Sequence, residues 1–326
     1  MPVNKKINLG EFALIDWIQQ QAGRSDHLSL GIGDDCSIQP QQADQDLLTS
    51  TDLLIEGIHF QREWTSMFDL GRKSAAVNIS DIAAMGGTPQ SLFLGLGRPK
   101  GLTDTEVEEF ISGFLKEIKT HGAVLAGGDT CRSPGPLMIA VTIQGTVATA
   151  TAITRQGASY GDAIYVSGFL GDSALALQQL QHQQQPDPYL SKRFHVPTPQ
   201  VILGQELSER QLATAMVDIS DGLLADLGHI LTVSEVGAEL KLAEIPLSKS
   251  FQNALESDSA LIDLALVGGE DYELVFTSPL KDLDRYFGET HAVTRIGAIS
   301  QEPGLRIHQV NGELYHCQRG GFDHFA

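Results

Sequence analysis

The sequence predicts an α/β (α+β) protein of two domains. Its 326 residues exceed the length that one hydrophobic core usually serves. In the first half of the chain, apolar segments with strand character alternate with segments of helical period. Near Ala150 this pattern changes, because the turn-rich stretch 154–162 comes before a new strand that begins at Ala163. We therefore expect one domain over residues 1–150 and a second over residues 151–326.

The first domain is predicted to alternate helices with strands. Thr103 and Glu106 have the spacing of a capping box at the start of a helix, and Gly86-Gly87 followed by Pro89 is a helix stop signal. Apolar periodicity gives the predicted helices near residues 11–18, 69–85 and 107–118, and the predicted strands near residues 48–55, 91–96 and 137–147.

The second domain is predicted to open with a strand at Ala163–Val166. A later strand leads into Asp218, a helix begins near Gly222, and further strands follow towards the C-terminus. Residues 181–199 are rich in Gln and Pro, so we expect a loop or mobile excursion there.

Charge and hydropathy restrict the partners and the compartment. The formal net charge is −19, from 22 Lys and Arg against 41 Asp and Glu. Nucleic acid and anionic membranes favour basic surfaces, so we expect neither as a partner. The N-terminal residues lack the apolar region of a secretion signal, and no apolar run approaches the ~20 residues of a membrane helix. The protein is expected to be cytoplasmic.

Several common catalytic motifs are missing from the sequence. It contains no P-loop, no Rossmann GxGxxG and no HExxH, and its three scattered cysteines form no CxxC pair. Gly157–Gly161 does match GxSxG, but that motif marks a hydrolase serine only between a strand and a helix. Here it precedes a strand, which argues against a hydrolase.

Carboxylates recur beside small or glycine-rich residues at the edges of apolar elements. The segments are Gly31-Ile-Gly-Asp34-Asp35, Ser50-Thr51-Asp52, Asn78-Ile-Ser-Asp81, Gly127-Gly128-Asp129-Thr130, Asp218-Ile-Ser220-Asp221-Gly222 and Gly268-Gly269-Glu270-Asp271-Tyr272. Carboxylate and hydroxyl oxygens suit Mg²⁺, and glycines let backbone N–H groups approach phosphate. The set predicts a metal and phosphate site, of the kind that phosphoryl transfer requires.

A structural role competes with this interpretation at each segment. A single Asp-Gly or Ser-Asp pair is often only a turn or a helix cap, and Asp221-Gly222 could be a cap for the helix that follows. Asp81 is harder to explain in this way, because it lies inside an apolar helix where an unpaired charge is costly.

Read in order, these segments resemble the thiamine-monophosphate kinase family of the aminoimidazole ribonucleotide synthetase superfamily. The resemblance also includes Gly10-Glu-Phe-Ala-Leu-Ile, Gly57-Ile-His59-Phe, Leu227-Gly-His229 and the ending Gly321-Phe-Asp-His-Phe, and covers nearly the whole chain. It implies an N-terminal α/β domain that binds metal and ATP and whose sheet pairs across a homodimer. It also implies a C-terminal domain that closes over the active-site cleft.

The resemblance further implies roles for individual residues. Several Mg²⁺ ions would be held by Asp35, Ser50, Thr51, Asp52, Asp81, Asp129, Asp218 and Asp221. Of these, Asp52, Asp81, Asp129 and Asp218 would act in catalysis through the bound metal. ATP would lie near Gly128, Asp129, Arg155 and Ser220. Arg155 suits a phosphate because its planar fork matches phosphate oxygens.

The second substrate implied is thiamine monophosphate, which would accept the phosphoryl group directly from ATP. His59, Glu270 and Phe322 match the residues that contact it, with Glu270 on the aminopyrimidine and Phe322 stacked on the ring. The family often carries Trp or Tyr where Phe322 stands, and Phe attracts a cationic ring more weakly than Trp does. A structural role for Phe322, as a plug of the C-terminal tail, stays open.

Three other functions compete with this one. A selenophosphate synthetase-like enzyme of the same superfamily would need a reactive Cys or selenocysteine in the N-terminal loop, and no Cys precedes Gly31. A non-catalytic nucleotide- or thiamine-phosphate-binding protein would not consume ATP. A metal-dependent phosphohydrolase would release free phosphate without an acceptor.

Overall fold

The computed structural model of the chain describes residues 11–22, 43–288 and 290–317. These residues form two compact units. The first unit extends to Asn78 and resumes over Pro89–Thr146, and the second combines Ile79–Thr88 with the chain from Val147 onward. The end of one helix of the first unit therefore belongs to the second, which the sequence pattern did not indicate.

The first unit contains a four-stranded sheet with the strand order β1-β4-β2-β3, in which β2 and β3 are parallel. Its elements in chain order are α1 (Glu11–Ala22), β1 (Gln45–Ile55), α2 (Met67–Ala84), β2 (Thr88–Pro99), α3 (Asp104–Thr120), β3 (Val124–Ser133) and β4 (Met138–Ala148). All six predicted elements of this part of the chain are confirmed. The strand β3 was not predicted.

Helix α3 forms for the reasons that its sequence indicated. The Thr103 side chain accepts a hydrogen bond from the Glu106 N–H, and the Glu106 carboxylate accepts one from the Thr103 N–H, so the predicted capping box is confirmed. Its apolar face is buried against the unit's core, and it approaches α2 closely. A Cβ on Gly113 would lie 1.8 Å from the carbonyl oxygen of Phe68, so only glycine permits this distance.

The second unit contains a six-stranded sheet with the strand order β10-β7-β9-β5-β8-β6. Its strands are β5 (Ala163–Ser167), β6 (Ala215–Asp218), β7 (Gly237–Lys241), β8 (Leu274–Ser278), β9 (Val293–Ser300) and β10 (Gly304–His308). Its helices are α4 (Asp172–Gln181), α5 (Pro188–His195), α6 (Val201–Glu209), α7 (Leu223–Ser234), α8 (Lys249–Ser257), α9 (Ile262–Val267) and α10 (Leu283–Phe287). β10 pairs with β7 in parallel, and the other neighbours are antiparallel.

Helices cover both faces of this sheet because its central strands are apolar on both sides. Along β5, Ile164 and Val166 join one buried cluster with α4 and α7, while Tyr165 joins another with α6 and α10. Both β6 and β8 lie in this packed sheet. The acidic segment 218–222 follows β6, and the acidic segment 268–272 comes shortly before β8.

The prediction of a loop or mobile excursion over residues 181–199 is wrong, because this stretch contains α5. The Asp187 carboxylate accepts hydrogen bonds from the Tyr189 and Leu190 N–H groups at the start of the helix, and Pro188 occupies its first turn. Leu190 and Phe194 lie four residues apart and are both buried. The Gln and Pro content concealed a short helix with a well-formed cap.

Other features of the described residues agree with the sequence analysis. The GxSxG match at residues 157–161 is a turn before β5, not a strand-to-helix connection. Cys131 and Cys317 are free thiols. No helix within residues 11–22, 43–288 and 290–317 is both long enough and apolar enough to cross a membrane.

Candidate functional site

In the first unit, the Ser50-Thr51-Asp52 segment lies within β1. Side chains alternate between the faces of a strand, so Ser50 and Asp52 share one face and Thr51 points to the other. The Thr51 hydroxyl donates to the Val141 carbonyl at 3.0 Å and lies 3.0 Å from the Thr142 hydroxyl. Ser50 and Asp52 therefore share a face of the strand that Thr51 does not.

His59 lies on the short turn that follows β1. Its Nδ1 accepts a hydrogen bond from the Ile55 N–H at 3.0 Å, which makes Nε2 the proton-bearing nitrogen of the ring. Glu56 fixes the turn, because its carboxylate accepts from Arg62 at 2.6 Å and from the Leu137 N–H at 3.0 Å. Burial acts to raise the pKa of Glu56, but these hydrogen bonds prevail and lower it. Nε2–H is a donor of the kind that suits a phosphate oxygen.

Gly128 and Asp129 lie in β3, beside the parallel strand β2. A Cβ at position 128 would lie 2.0 Å from the Leu94 carbonyl oxygen, so glycine is required for the two strands to approach here. The next residue, Asp129, is exposed. A carboxylate in a rigid strand, without a packing role, is well suited to contact a ligand.

In the second unit, Asp218 ends β6 and is buried. The Ser80 hydroxyl donates to Asp218 Oδ2 at 2.7 Å. Ser80 belongs to the part of α2 that the second unit includes, and Asp81 follows it directly. The structure therefore brings Asp218 next to the helical turn that carries Asp81, as the metal hypothesis requires of two ligands far apart in sequence.

The 218–222 loop (Asp218–Gly222) follows β6 and leads into α7. One oxygen of Asp226, Oδ2, accepts hydrogen bonds from three consecutive backbone N–H groups, those of Ser220, Asp221 and Gly222, at 3.0–3.1 Å. The predicted cap at Asp221-Gly222 is confirmed to the extent that Gly222 is the N-cap of α7, without a side-chain capping hydrogen bond. The three N–H groups of the loop are directed at Asp226 instead of a phosphate.

Burial and hydrogen bonding oppose each other at Asp226. Desolvation has the largest influence and raises the pKa of this carboxyl to about 6, although the three N–H groups act to lower it.

The 268–273 loop (Gly268–Glu273) is joined to the 218–222 loop by backbone hydrogen bonds. The Glu270 N–H donates to the Ser220 carbonyl and the Tyr272 N–H to the Ile219 carbonyl, both at 2.8 Å. Glu270 and Tyr272 have positive φ values of 71° and 51°, a conformation that L side chains rarely adopt. Tyr272 donates from its hydroxyl to Glu270 Oε1 at 3.0 Å. Such strain tends to occur at binding sites, which supports the selection of Glu270.

Asp271 and Glu273 of the 268–273 loop belong to a buried charge cluster with Arg193 and Asp172. Arg193 donates to Glu273 at 2.9 Å and to the Phe169 carbonyl at 3.1 Å, and its Nε lies 3.8 Å from Asp172. Asp271 is buried with them and accepts from the Gly171 N–H at 2.7 Å. Burial raises the pKa of Asp172, Asp271 and Glu273, and Arg193 acts in the opposite direction at each.

Arg155, Asp35 and Phe322 complete the set of predicted site residues. Arg155 is exposed on the segment before β5, where the Ser234 hydroxyl lies 3.4 Å from its carbonyl oxygen. Asp35 and Phe322 lie outside the described residues.

Sequence reasoning missed Asp226 and Arg193. Asp226 could have been found by the criterion that singled out Asp81, a carboxylate inside an apolar helix. Arg193 could not, because it lies in the Gln- and Pro-rich stretch that was predicted to be a loop.

The donor chemistry of the candidate metal ligands fits Mg²⁺, since each offers carboxylate or hydroxyl oxygens. Within the described part of the chain, no three His, Cys, Asp or Glu side chains group closely enough to hold a metal ion. Mg²⁺ commonly uses only one or two carboxylates and completes its shell with water and substrate phosphates.

Comparisons with known proteins identify the family. The model of the AIR synthase related protein N-terminal domain matches residues 33–147, and that of its C-terminal domain matches residues 159–308. Thiamine-monophosphate kinase of Escherichia coli strain K12 is 40% identical over 97% of this chain and 98% of its own length. The crystal structure of thiamine-monophosphate kinase from Stenotrophomonas maltophilia K279a has a TM-score of 0.83 and 40% identity, covering 94% of this chain and 98% of that one.

A further solved structure contains ligands. It is described as AaThiL complexed with AMPPCP and TMP, and it is 32% identical with a TM-score of 0.78, covering 100% of this chain and 99% of that one. The two-domain fold, the ordered motifs and these similarities agree. The chain belongs to the thiamine-monophosphate kinase family of the AIR synthase related proteins.

Proposed function

We propose that this chain transfers the γ-phosphoryl group of ATP to thiamine monophosphate, which yields thiamine diphosphate and ADP. The observation that carries the proposal is the similarity to thiamine-monophosphate kinases over nearly the full length of both chains. A relative of the same fold binds an ATP analogue together with TMP, which supports both substrates.

Asp35, Ser50, Thr51, Asp52, Asp81, Asp129, Asp218 and Asp221 are the proposed ligands of several Mg²⁺ ions. When bound, Mg²⁺ would neutralise phosphate charge during transfer. Asp52, Asp81, Asp129 and Asp218 are the residues on which catalysis depends most. The shared face of Ser50 and Asp52, and the Ser80–Asp218 hydrogen bond, support their assignment. For Thr51, whose hydroxyl points to the other face, the side chain receives no such support.

Gly128, Asp129, Arg155 and Ser220 are proposed to bind ATP. Arg155 is exposed and can reach a phosphate without breaking a buried ion pair. Ser220 contributes through its side chain, because its N–H is directed at Asp226.

His59, Glu270 and Phe322 are proposed to bind thiamine monophosphate. His59 would donate from Nε2 to the phosphate, which its tautomer permits. Glu270 would accept from the aminopyrimidine, held by the strained loop and by the Tyr272 hydroxyl. Phe322 would stack on the ring.

The proposed chemical step is direct and in line. A phosphate oxygen of thiamine monophosphate forms a bond to the γ-phosphorus of ATP as the bond from that phosphorus to the β,γ-bridging oxygen breaks, which releases ADP. The attacking oxygen is already ionised near neutral pH, so no general base is needed. The protein contributes position and charge, and no phosphoenzyme forms.

The protein is also proposed to be a homodimer in the cytoplasm. Strand β1 is an edge strand of its sheet, and Leu47 and Leu53 on its outward face are 44% and 56% exposed. An apolar edge strand of this kind favours pairing with another chain, and a two-fold partner would cover it.

Residues 1–150 are proposed as the metal-binding, ATP-binding and dimerisation domain. Residues 151–326 are proposed as the domain that closes the cleft. The proposed ligands come from both, since Asp52, Asp81 and Asp129 lie in residues 1–150 and Asp218 and Asp221 in residues 151–326. Of these, Asp81 belongs to the second of the two compact units.

An assay of ADP release with different acceptors tests the proposed function. ADP should appear with ATP, Mg²⁺ and thiamine monophosphate, but not when thiamine or no acceptor replaces the monophosphate. Equal ADP release without an acceptor would indicate a phosphohydrolase instead, and no release under any condition would indicate a binding protein.

A further inference from the structure

The 218–222 loop is held by a carboxylate that has no assigned role. Asp226 lies in the first turn of α7, and its exposed fraction is 2%. Helical side chains point back towards the N-terminus of their helix, which brings Asp226 Oδ2 under the loop. There it accepts from the N–H groups of Ser220 and Gly222 at 3.1 Å and of Asp221 at 3.0 Å.

Three consecutive N–H groups directed at one point form an anion-binding nest. In this loop the nest is filled by the protein's own carboxylate. Since three donors converge on Oδ2, that oxygen is a poor metal ligand. The hydrogen bonds to Asp226 fix the orientation of the backbone at Ser220 and Asp221. They therefore also fix the directions in which the two side chains project.

The loop is held from the other side as well. Its Ser220 and Ile219 carbonyls accept from the N–H groups of Glu270 and Tyr272 at 2.8 Å. The Ile219 N–H also donates to the Glu273 carbonyl at 2.7 Å, so the 268–273 loop holds the first part of this segment. Asp226 holds the N–H groups of Ser220, Asp221 and Gly222, which would lose their shared acceptor without it.

We infer that Asp226 is a positioning residue that sets the geometry in which Ser220 and Asp221 meet the magnesium–nucleotide complex. This inference rests on the proposed function for the identity of the ligand. Removing a residue that positions metal ligands in this way typically lowers metal affinity or activity by 10- to 100-fold.

The variants Asp226→Ala and Asp226→Asn separate positioning from mere stability. Asn retains an oxygen that can accept from the same N–H groups, whereas Ala does not. Calorimetric titration with Mg²⁺ and AMPPCP should show binding weakened about tenfold or more in Asp226→Ala. In Asp226→Asn it should be weakened by no more than a few-fold. The matched control is Thr103→Ala, which removes the cap of α3 in the first unit and should lower thermal stability without changing binding.

Hydrogen exchange adds a measurement that does not depend on catalysis. The amides of Ser220, Asp221 and Gly222 should be protected in the unmodified protein without nucleotide, and should exchange about tenfold faster or more in Asp226→Ala. Unprotected amides in the unmodified protein would overturn the inference, even if the Ala variant did not fold. So would an Asp226→Ala protein that loses thermal stability but binds Mg²⁺ and AMPPCP normally. If the unmodified protein bound the nucleotide but did not phosphorylate thiamine monophosphate, the proposed function would fail while the exchange and binding tests of Asp226 still applied.

Discussion

Replacing Asp129 with Asn should abolish phosphoryl transfer and leave the protein folded. Asp129 is exposed on β3, so its carboxylate contributes little to packing. The substitution keeps the shape of the side chain and removes the charge that would attract Mg²⁺. Because electrostatic stabilisation of a transition state depends on each fixed group, we expect kcat to fall by roughly 100-fold or more. Asp52→Asn should behave in the same way, since Asp52 is a proposed ligand from β1.

The matched control for these variants is Glu109→Gln, which neutralises an exposed carboxylate on α3. Initial rates should be measured over a range of Mg²⁺ concentrations, and thermal unfolding should be compared in parallel. Near-normal turnover at saturating Mg²⁺ in both Asp52→Asn and Asp129→Asn would contradict the metal assignment.

Replacing Arg193 with Met should strongly destabilise the second unit. Arg193 is the cation among the buried carboxyl groups of Asp172, Asp271 and Glu273, and it contacts Glu273 at 2.9 Å. Removing one partner of a buried ion pair leaves uncompensated charge, which typically costs about 3–5 kcal/mol in the free energy of unfolding. The Met side chain keeps most of the apolar length of Arg, so the loss would reflect charge more than packing.

The effect of Arg193→Met should grow with pH. The pKa of Asp271 is raised from 3.8 to about 7, chiefly by burial. A carboxyl with a raised pKa in the folded state stabilises that state fully below its unfolded pKa, and this contribution is lost as pH rises through about 7. In the variant the carboxyl groups lack their cation, so the destabilisation should be larger near pH 8 than near pH 5.

Urea denaturation at these two pH values measures the difference. The matched control is Arg210→Met, which breaks an exposed pair with Glu206 and should cost no more than ~1 kcal/mol at either pH. Asp271→Asn should reduce the pH dependence of the unmodified protein. A small loss in the free energy of unfolding of Arg193→Met would show that the cluster is not held by charge. A loss that is larger near pH 5 than near pH 8 would show the same.

Much of the fold could be predicted from local patterns. The capping box of Thr103 and Glu106 located α3, and the Gly86-Gly87 stop signal agreed with the end of α2 at Ala84. Strand β3 escaped prediction because Gly127, Gly128 and Asp129 resemble a turn, although the neighbouring strand β2 holds them extended. Tertiary pairing there prevailed over local propensity.

The segments that carry the proposed ligands could be singled out from the sequence, but the contacts that hold those segments could not. Asp218 and Asp81 stand out because acidic residues are unusual beside apolar elements, and the structure places the two segments together through Ser80. Asp226 and Arg193 act through contacts with loops that are brought near by the fold, so neither belongs to a short motif. Their roles depend on which backbone groups they reach, and only the folded chain determines that.

The most direct test of the proposed activity is a ³¹P NMR time course of the unmodified protein with ATP, Mg²⁺ and thiamine monophosphate. We expect the signal of thiamine monophosphate to be replaced by the two coupled phosphorus signals of thiamine diphosphate. ADP should appear in equal amount, without inorganic phosphate. Accumulation of inorganic phosphate while thiamine monophosphate stays unchanged would contradict the proposal.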